Sequence, residues 1–403
     1  MMRRSPLLPI FLIVLVDILG MTMVIPLLAV YAESFHATAF EATLLMPTFA
    51  VCQLIAGPII GRMSDRTGRR KMLLVSQLGT FLGFIFMARA TALWMVFVAR
   101  IIDGATAGNL SLAQAYIADN TEPKDRAKSF ALIGIAFGLG FLVGPGITAM
   151  LAGHSLSTPI YAAAALSMTS VLCTFFLLPG EPPPQAPEGD GAQGPGGKRL
   201  GVLDWSAYTQ FFERPALRSL LIQFFLYMFA FSTFTSGFAL FAERRFSWHG
   251  HPFTPREIGV VFAYAGFLGI VLQGGLVGRL VKRFGEERLV GWGFTTLAIG
   301  YVILGGIHDP MMLLITTTIA SFGNGVLRPG LTSLITQNAA RHEQGVVLGL
   351  NQSLTSIASI VAPPIAGFLI GTAHLSAWAW VAAAAGLCGL IAQKVLRPPQ
   401  AAS

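Results

Sequence analysis

Twelve apolar stretches dominate this chain, and they leave it few possible folds. They run over 7–31, 44–62, 72–90, 93–117, 129–152, 158–178, 217–242, 257–278, 289–307, 310–335, 345–370 and 375–394. Each is about 20 residues or longer, the length that a helix rising about 1.5 Å per residue needs to cross a ~30 Å hydrocarbon layer. Inside lipid the backbone must satisfy its own hydrogen bonds, so each stretch is expected to be helical. The alternating pattern of a membrane barrel is absent. The balance of residues agrees: 54% of the 403 are hydrophobic and 11% charged. A soluble domain carries roughly 25% charged residues. Mean hydropathy is +0.67. The expectation is an all-α integral membrane protein. The first stretch is long, contains Asp17 and has no evident cleavage site after it, so it reads as a retained span rather than a signal peptide.

Between the second and third stretches lies GRMSDRTGRRK, 61–71, with Arg62, Arg66, Arg69, Arg70 and Lys71 around one acid, Asp65. In a chain of pI ≈ 9.7 such a cluster raises the question of nucleic acid. The loop is too short and too tightly held between spans for that, and no nucleic-acid partner is expected. Placing the N-terminus in the cytoplasm gives a better account. Arg89, Arg244, Arg245 and Arg256 then face outward and Arg100 and Arg328 lie within spans, leaving 21 of the 27 Lys and Arg on the cytoplasmic side. That is the positive-inside asymmetry, with both termini cytoplasmic.

The chain also reads as a duplication. Residues 179–216 hold a Pro/Gly-rich run, PGEPPPQAPEGDGAQGPGGKR, followed by LDWSAYTQFF, which suits an interfacial helix. This linker separates a six-span half at 1–178 from another at 217–403. GRMSDRTGRRK matches GRLVKRFGEER at 278–288 through Gly61/Gly278, Arg62/Arg279, Arg66/Arg283 and Gly68/Gly285, an offset of 217 residues. GPGI at 144–147 matches APPI at 362–365 at an offset of 218. Parallel repeats of six-helix halves are a transporter plan, with the substrate held between the halves.

On these residues the chain resembles the major facilitator superfamily, and within it the twelve-helix drug/proton antiporters. GRMSDRTGRRK is similar to that family's loop 2–3 signature, and ARIIDGATAGNLSLAQAYIAD (99–119) to its fourth-helix signature. GLGFLVGPGI (138–147) resembles the fifth-helix antiporter signature and DILGMTMVIPLL (17–28) the first-helix one. The resemblance implies two pseudo-symmetric six-helix halves rocking about a central cavity, in a monomer in a bacterial inner membrane. It implies a proton-coupling role for Arg100. It places Asp65 near the N-terminus of the eleventh helix, around residues 344–346, and implies an ionic latch between the loop arginines and Asp119. The cytoplasmic gate would then comprise Gly61, Asp65, Arg66, Gly68, Arg69, Arg70 and Asp119; the same charges could instead only set topology. In the fifth helix Gly140, Gly144, Pro145 and Gly146 carry the antiporter likeness, with tight packing as the plainer reading. The N-terminal half is most similar to tetracycline/proton antiporters, whose third and ninth helices also carry functional acids. Here SQLGTFLGFIFMA and VGWGFTTLAIGYVIL carry none, which argues against tetracycline as the substrate.

Charges within spans carry the most functional weight, because each costs at least ~2.5–3.5 kcal/mol at mid-bilayer unless paired or hydrated. Asp17 and Asp103 each lie about ten residues into their spans, so about 15 Å deep. Arg100 is one turn before Asp103, on a face that would continue through Gly104, Ala107, Ser111 and Gln114. The face through Asp17 includes Gly20, Met21, Val24 and Leu28. Low-dielectric surroundings disfavour the charged form of a carboxyl. Either Asp17 or Asp103 is therefore a candidate proton carrier with Arg100 as its modulator, against the alternative of a static Arg100–Asp103 pair. The interior of the C-terminal spans has no acid. Its polar residues, Gln223, Gln273, Asn324, Arg328, Asn351, Gln352 and Thr355, join Met21, Ser111 and Gln114 as candidates for lining the substrate path. Cys52, Cys173 and Cys388 are isolated, and no metal spacing, phosphate loop or nucleophile–base pair stands out. No enzyme, metal or cofactor is expected. The function expected is proton-driven export of amphipathic small molecules. Its rivals are uptake or facilitated flux of a metabolite such as an organic anion, and a transport-dead sensor or scaffold.

Overall fold

The computed structural model describes residues 7–120, 126–178, 211–340 and 343–395. Among these, eleven helices are long and apolar enough to cross a membrane. A twelfth span is built from two shorter pieces. In chain order the helices are α1 (Leu7–Glu33), α2 (Ala39–Thr67), α3 (Arg69–Ala88), α4 (Leu93–Thr106), α5 (Asn109–Asn120), α6 (Arg126–Leu151) and α7 (Thr158–Leu177). The second set is α8 (Pro215–Arg245), α9 (Pro255–Phe284), α10 (Glu286–Gly306), α11 (Pro310–Gln337), α12 (Gln344–Gly371) and α13 (Leu375–Val395). One two-stranded hairpin, Ser247–Trp248 with His251–Pro252, closes the α8–α9 turn. The linker at 179–216, with its expected interfacial helix, lies outside the described residues except for 211–216.

Packing groups the described residues into two compact units. One holds the first six spans together with residues 238–270, the ends of α8 and α9 that flank their connecting hairpin. The other holds the remainder of the second set. Chain order follows the duplication, whereas packing follows contact, and the two partition α8 and α9 differently. In the first unit α1 lies between α6 and α7, and α3 between α4 and α7. In the second, α10 packs on both α11 and α13.

The repeated loop is visible as geometry. Gly68, between α2 and α3, and Gly285, between α9 and α10, have φ of 96° and 82°. Each donates its N–H four residues back, to Ser64 and Val281. Only glycine adopts this backbone region without strain. The same turn in both halves accounts for the matching glycines at the 217-residue offset.

The fourth span departs from the expected continuous helix. It breaks at Ala107–Gly108, where Ala107 is extended (ψ 94°). Thr106 turns its hydroxyl back onto the Ile102 carbonyl at 2.8 Å, which weakens the local ladder. Ser76 of α3 takes up the freed groups: its hydroxyl donates to the Thr106 carbonyl and accepts the Gly108 N–H at 2.9 Å. Ser111 and Gln114 therefore do not continue a straight helical face from Asp103. They are exposed on α5, in a separate piece of helix.

Candidate functional site

The first unit holds a buried polar cluster among apolar helices. Arg100 and Asp103 on α4 form an ion pair at 3.2 Å. Each is 7% exposed. The guanidinium also lies 4.6 Å from the centroid of the Phe49 ring on α2, a cation–π contact. Asp103 faces Thr80 of α3. The helices can close in here because small residues line them. A side chain at Gly83 would meet the Asp103 Cβ at 3.2 Å, and one at Gly104 would meet the Phe49 carbonyl at 2.6 Å and Cys52 at 2.8 Å.

Asp17 of α1 belongs to the same cluster. Its carboxylate faces Gln77 of α3 and Ser170 of α7, and Asp103 is near enough for the two charges to act on each other. The Gln77 amide donates to the Ser170 hydroxyl at 2.8 Å, and Ser167 donates to the Gln77 carbonyl at 3.3 Å. The buried Asp17 Oδ1 closes no hydrogen bond. The structure thus brings together the three ionisable residues singled out from sequence, and adds Gln77, Thr80, Ser167 and Ser170. These four are uncharged and so lack the signal that marks Asp17, Arg100 and Asp103 in the sequence. A spacing of three residues between buried polar groups, as in Gln77/Thr80 and Ser167/Ser170, is the signal that marks them.

On α6 the antiporter-type glycines have a packing role. Gly140 and Gly144 lie against Ile18 and Thr22 of α1, where a side chain would collide. Thr22 donates to the Gly140 carbonyl and Thr148 to the Met23 carbonyl, both at 2.8 Å. Gly146 has almost nothing near it. The other flank of α6 packs against α9: a side chain at Gly259 would meet the Pro145 carbonyl at 2.6 Å.

In the basic loop, Asp65 pairs with Arg69 at 2.6 Å, and Arg69 also donates to Ser64 at 2.5 Å. Arg70 caps the end of α7, donating to the Thr174 and Phe175 carbonyls with its guanidinium 5.7 Å from the Phe175 ring centroid. Cations at a helix C-terminus offset its exposed carbonyls. The expected latch between the loop arginines and Asp119 depends on a side chain that is not among those described. The side chain of Asp119 lies outside the described residues, as does that of Gln344. Gly61 is half-buried and Arg66 exposed. At the opposite membrane face Arg244 pairs with Glu33 at 2.6 Å.

In the second unit Gln223 donates to Ser219 at 3.0 Å, and Thr355 donates to the Asn351 carbonyl at 2.9 Å. The side-chain amide of Asn351 is buried with neither end hydrogen-bonded. Gln273, Arg328 and Gln352 are exposed on this unit, as Met21 is on the first. Gln273 sits in a π-helical turn of α9, Leu272–Leu276, opened by Gly274 and Gly275.

Duplicated six-span halves with charges buried at membrane depth define a class, the secondary transporters. The comparisons refine it. The family profile of the Major Facilitator Superfamily matches residues 10–281 and 253–402. Tetracycline resistance protein, class C, of Escherichia coli is 30% identical over 383 residues, covering 92% of each chain. Multidrug resistance protein 2 of Bacillus subtilis (strain 168) is 28% identical, covering 88% of this chain and 86% of that one. Among solved structures, the nucleoside transporter NupG superposes with a TM-score of 0.79 at 13% identity, over 98% of this chain and 100% of that one. The human organic anion transporter MFSD10 (TETRAN) superposes at 0.72 and 24% identity, over 98% and 100%. The chain belongs to the Major Facilitator Superfamily. It is an integral membrane transporter of small molecules and not an enzyme.

Proposed function

We propose that this transporter exports amphipathic small molecules in exchange for protons, by alternating access. The observation that carries the reading is the charge inventory of the buried cluster: two carboxylates, Asp17 and Asp103, against the guanidinium of Arg100. With both acids ionised the cluster holds an excess negative charge in a low-dielectric interior, at a cost of several kcal/mol. One bound proton makes it neutral. Asp103 is already paired with Arg100. Asp17 is the acid that holds and releases the proton, while Gln77 and Ser170 orient it.

The relatives are named for resistance, and export of a toxic compound is the direction by which a transporter would give it. The excess of Lys and Arg on the loops at the Gly68 and Gly285 turns supports cytoplasmic termini, and bacterial relatives support the inner membrane. Monomeric action rests on the family likeness. Opening the face opposite the basic loops requires parting Arg244 from Glu33 and α9 from Pro145. The test is transport in proteoliposomes under an imposed pH gradient, following a panel of lipophilic dyes. Gradient-driven movement that Asp17→Asn abolishes supports antiport. Downhill flux that is indifferent to the gradient contradicts it.

A further inference from the structure

A second polar cluster lies wholly within the second unit, at the level of the bilayer interior. Tyr227 of α8 donates to the Asn324 carbonyl of α11 at 3.5 Å. Arg328, one turn further along α11, is close enough for its charge to act on the Tyr227 phenol. Tyr301 of α10 faces Asn324 and lies near Tyr227. Arg328 is nine residues from the end of α11 at Gln337, about 13 Å deep along the helix.

Three features mark this cluster as a binding site rather than a packing device. Tyr301 is 1% exposed, yet its hydroxyl closes no hydrogen bond. The Asn324 Oδ1 is likewise buried and unmatched. Buried polar groups are nearly always satisfied; the Tyr301 hydroxyl and the Asn324 amide face each other, and even a bond between them leaves the hydroxyl lone pairs and the amide N–H groups with capacity for a ligand. The chemistry is donor-rich: two phenols, a guanidinium and an amide that can present either end. The interior of the spans in this half contains no carboxylate. Aromatic rings adjoin the cluster. Phe234 stacks on Tyr301 at 5.4 Å, and Phe231 lies 6.2 Å from Tyr227.

We infer that Tyr227, Tyr301, Asn324 and Arg328 form a subsite for the anionic head of an amphipathic aromatic substrate, a carboxylate whose ring system rests on the Phe231 and Phe234 side. Arg328 supplies a charged, planar fork for the carboxylate oxygens. The Tyr301 hydroxyl and the Asn324 amide supply neutral hydrogen bonds, and the aromatic flank takes the apolar body. This deepens the export reading and rests on it only for the direction of transport.

The experiment is calorimetric binding to the detergent-purified full chain with three probes. These are 2-naphthylacetate, its uncharged primary amide, and the cation tetraphenylphosphonium. Wild type is expected to bind the carboxylate about tenfold or more tightly than the amide or the cation, the fold-change typical of one charged hydrogen bond. Arg328→Gln removes that preference and Arg328→Lys keeps part of it. Tyr301→Phe leaves the ring in place and weakens only the carboxylate. Equal binding of the three probes, a carboxylate preference that survives Arg328→Gln, or no saturable carboxylate binding overturns the assignment. Proton release recorded in the same titrations separates the two proposals. Carboxylate preference without proton movement leaves the subsite standing and removes coupling. Proton movement driven by the phosphonium alone does the reverse.

Discussion

Replacing Ser76 by alanine isolates the device that breaks the fourth span. The Ser76 hydroxyl is buried and serves two main-chain groups from another helix: it donates to the Thr106 carbonyl and accepts the Gly108 N–H at 2.9 Å. Alanine leaves both unmatched in a dry interior, and each orphaned group costs about 1–3 kcal/mol. Side-chain hydrogen bonds measured within membrane proteins are weaker, about 0.6 kcal/mol on average and up to ~1.7, because the reference state also finds partners. The two together place the loss at about 1–3 kcal/mol. Ser167→Ala is the control, since it removes one long bond of 3.3 Å. Unfolding by SDS titration in mixed micelles, followed by tryptophan fluorescence, measures the difference. Thr106 is three residues from Asp103, so substrate-driven transport is expected to fall as well. A Ser76→Ala protein as stable as Ser167→Ala would refute the claim that α3 holds the break open.

The Gly68 and Gly285 turns permit a paired test: nothing lies within 4 Å of a Cβ at either, so alanine costs only backbone strain, about 1–3 kcal/mol and similar at both sites. Gly134→Ala, in a helix with equally open space, is expected to gain up to ~1 kcal/mol in the same titration. Arg70→Ala uncaps α7 and should speed hydrogen exchange in its last turn; Arg70→Lys restores little, because a point charge replaces a fork that spans two carbonyls. Arg244→Glu sets a third acid beside Glu33 and Glu243. The pair is partly exposed, so stability is expected to shift by less than about 1 kcal/mol. A cysteine placed at Ala263 should nonetheless react faster with an impermeant maleimide, as α9 loosens from α6.

The spans and the duplicated loop were legible in the sequence because local chemistry forces them. Nothing but a helix can bury 20 apolar residues in lipid, and nothing but glycine suits the turns at 68 and 285. The pairing of Arg100 with Asp103 was legible too, since one turn of helix sets it. The break at Ala107–Gly108 was not, because Ser76, on a different helix, supplies the bonds that satisfy it. The meeting of Asp17 with Asp103 depends on how α1, α3 and α7 are registered against α4, which no single-helix pattern encodes. Arg70 donates to carbonyls at a helix end, groups every sequence carries without marking. Tyr227 and Tyr301 carry no mark of their own in the sequence; their hydroxyls become informative only beside Asn324.

The central claim is that Asp17 exchanges its proton for substrate. The direct measurement is proton release from lightly buffered, detergent-solubilised protein when a binding-competent lipophilic compound is added, for wild type, Asp17→Asn, Asp103→Asn and Arg100→Ala. The account predicts release of up to one proton per bound compound from wild type, and none from Asp17→Asn even though that variant still binds. Undiminished release from Asp17→Asn, or tight binding with no proton movement in wild type, would contradict it.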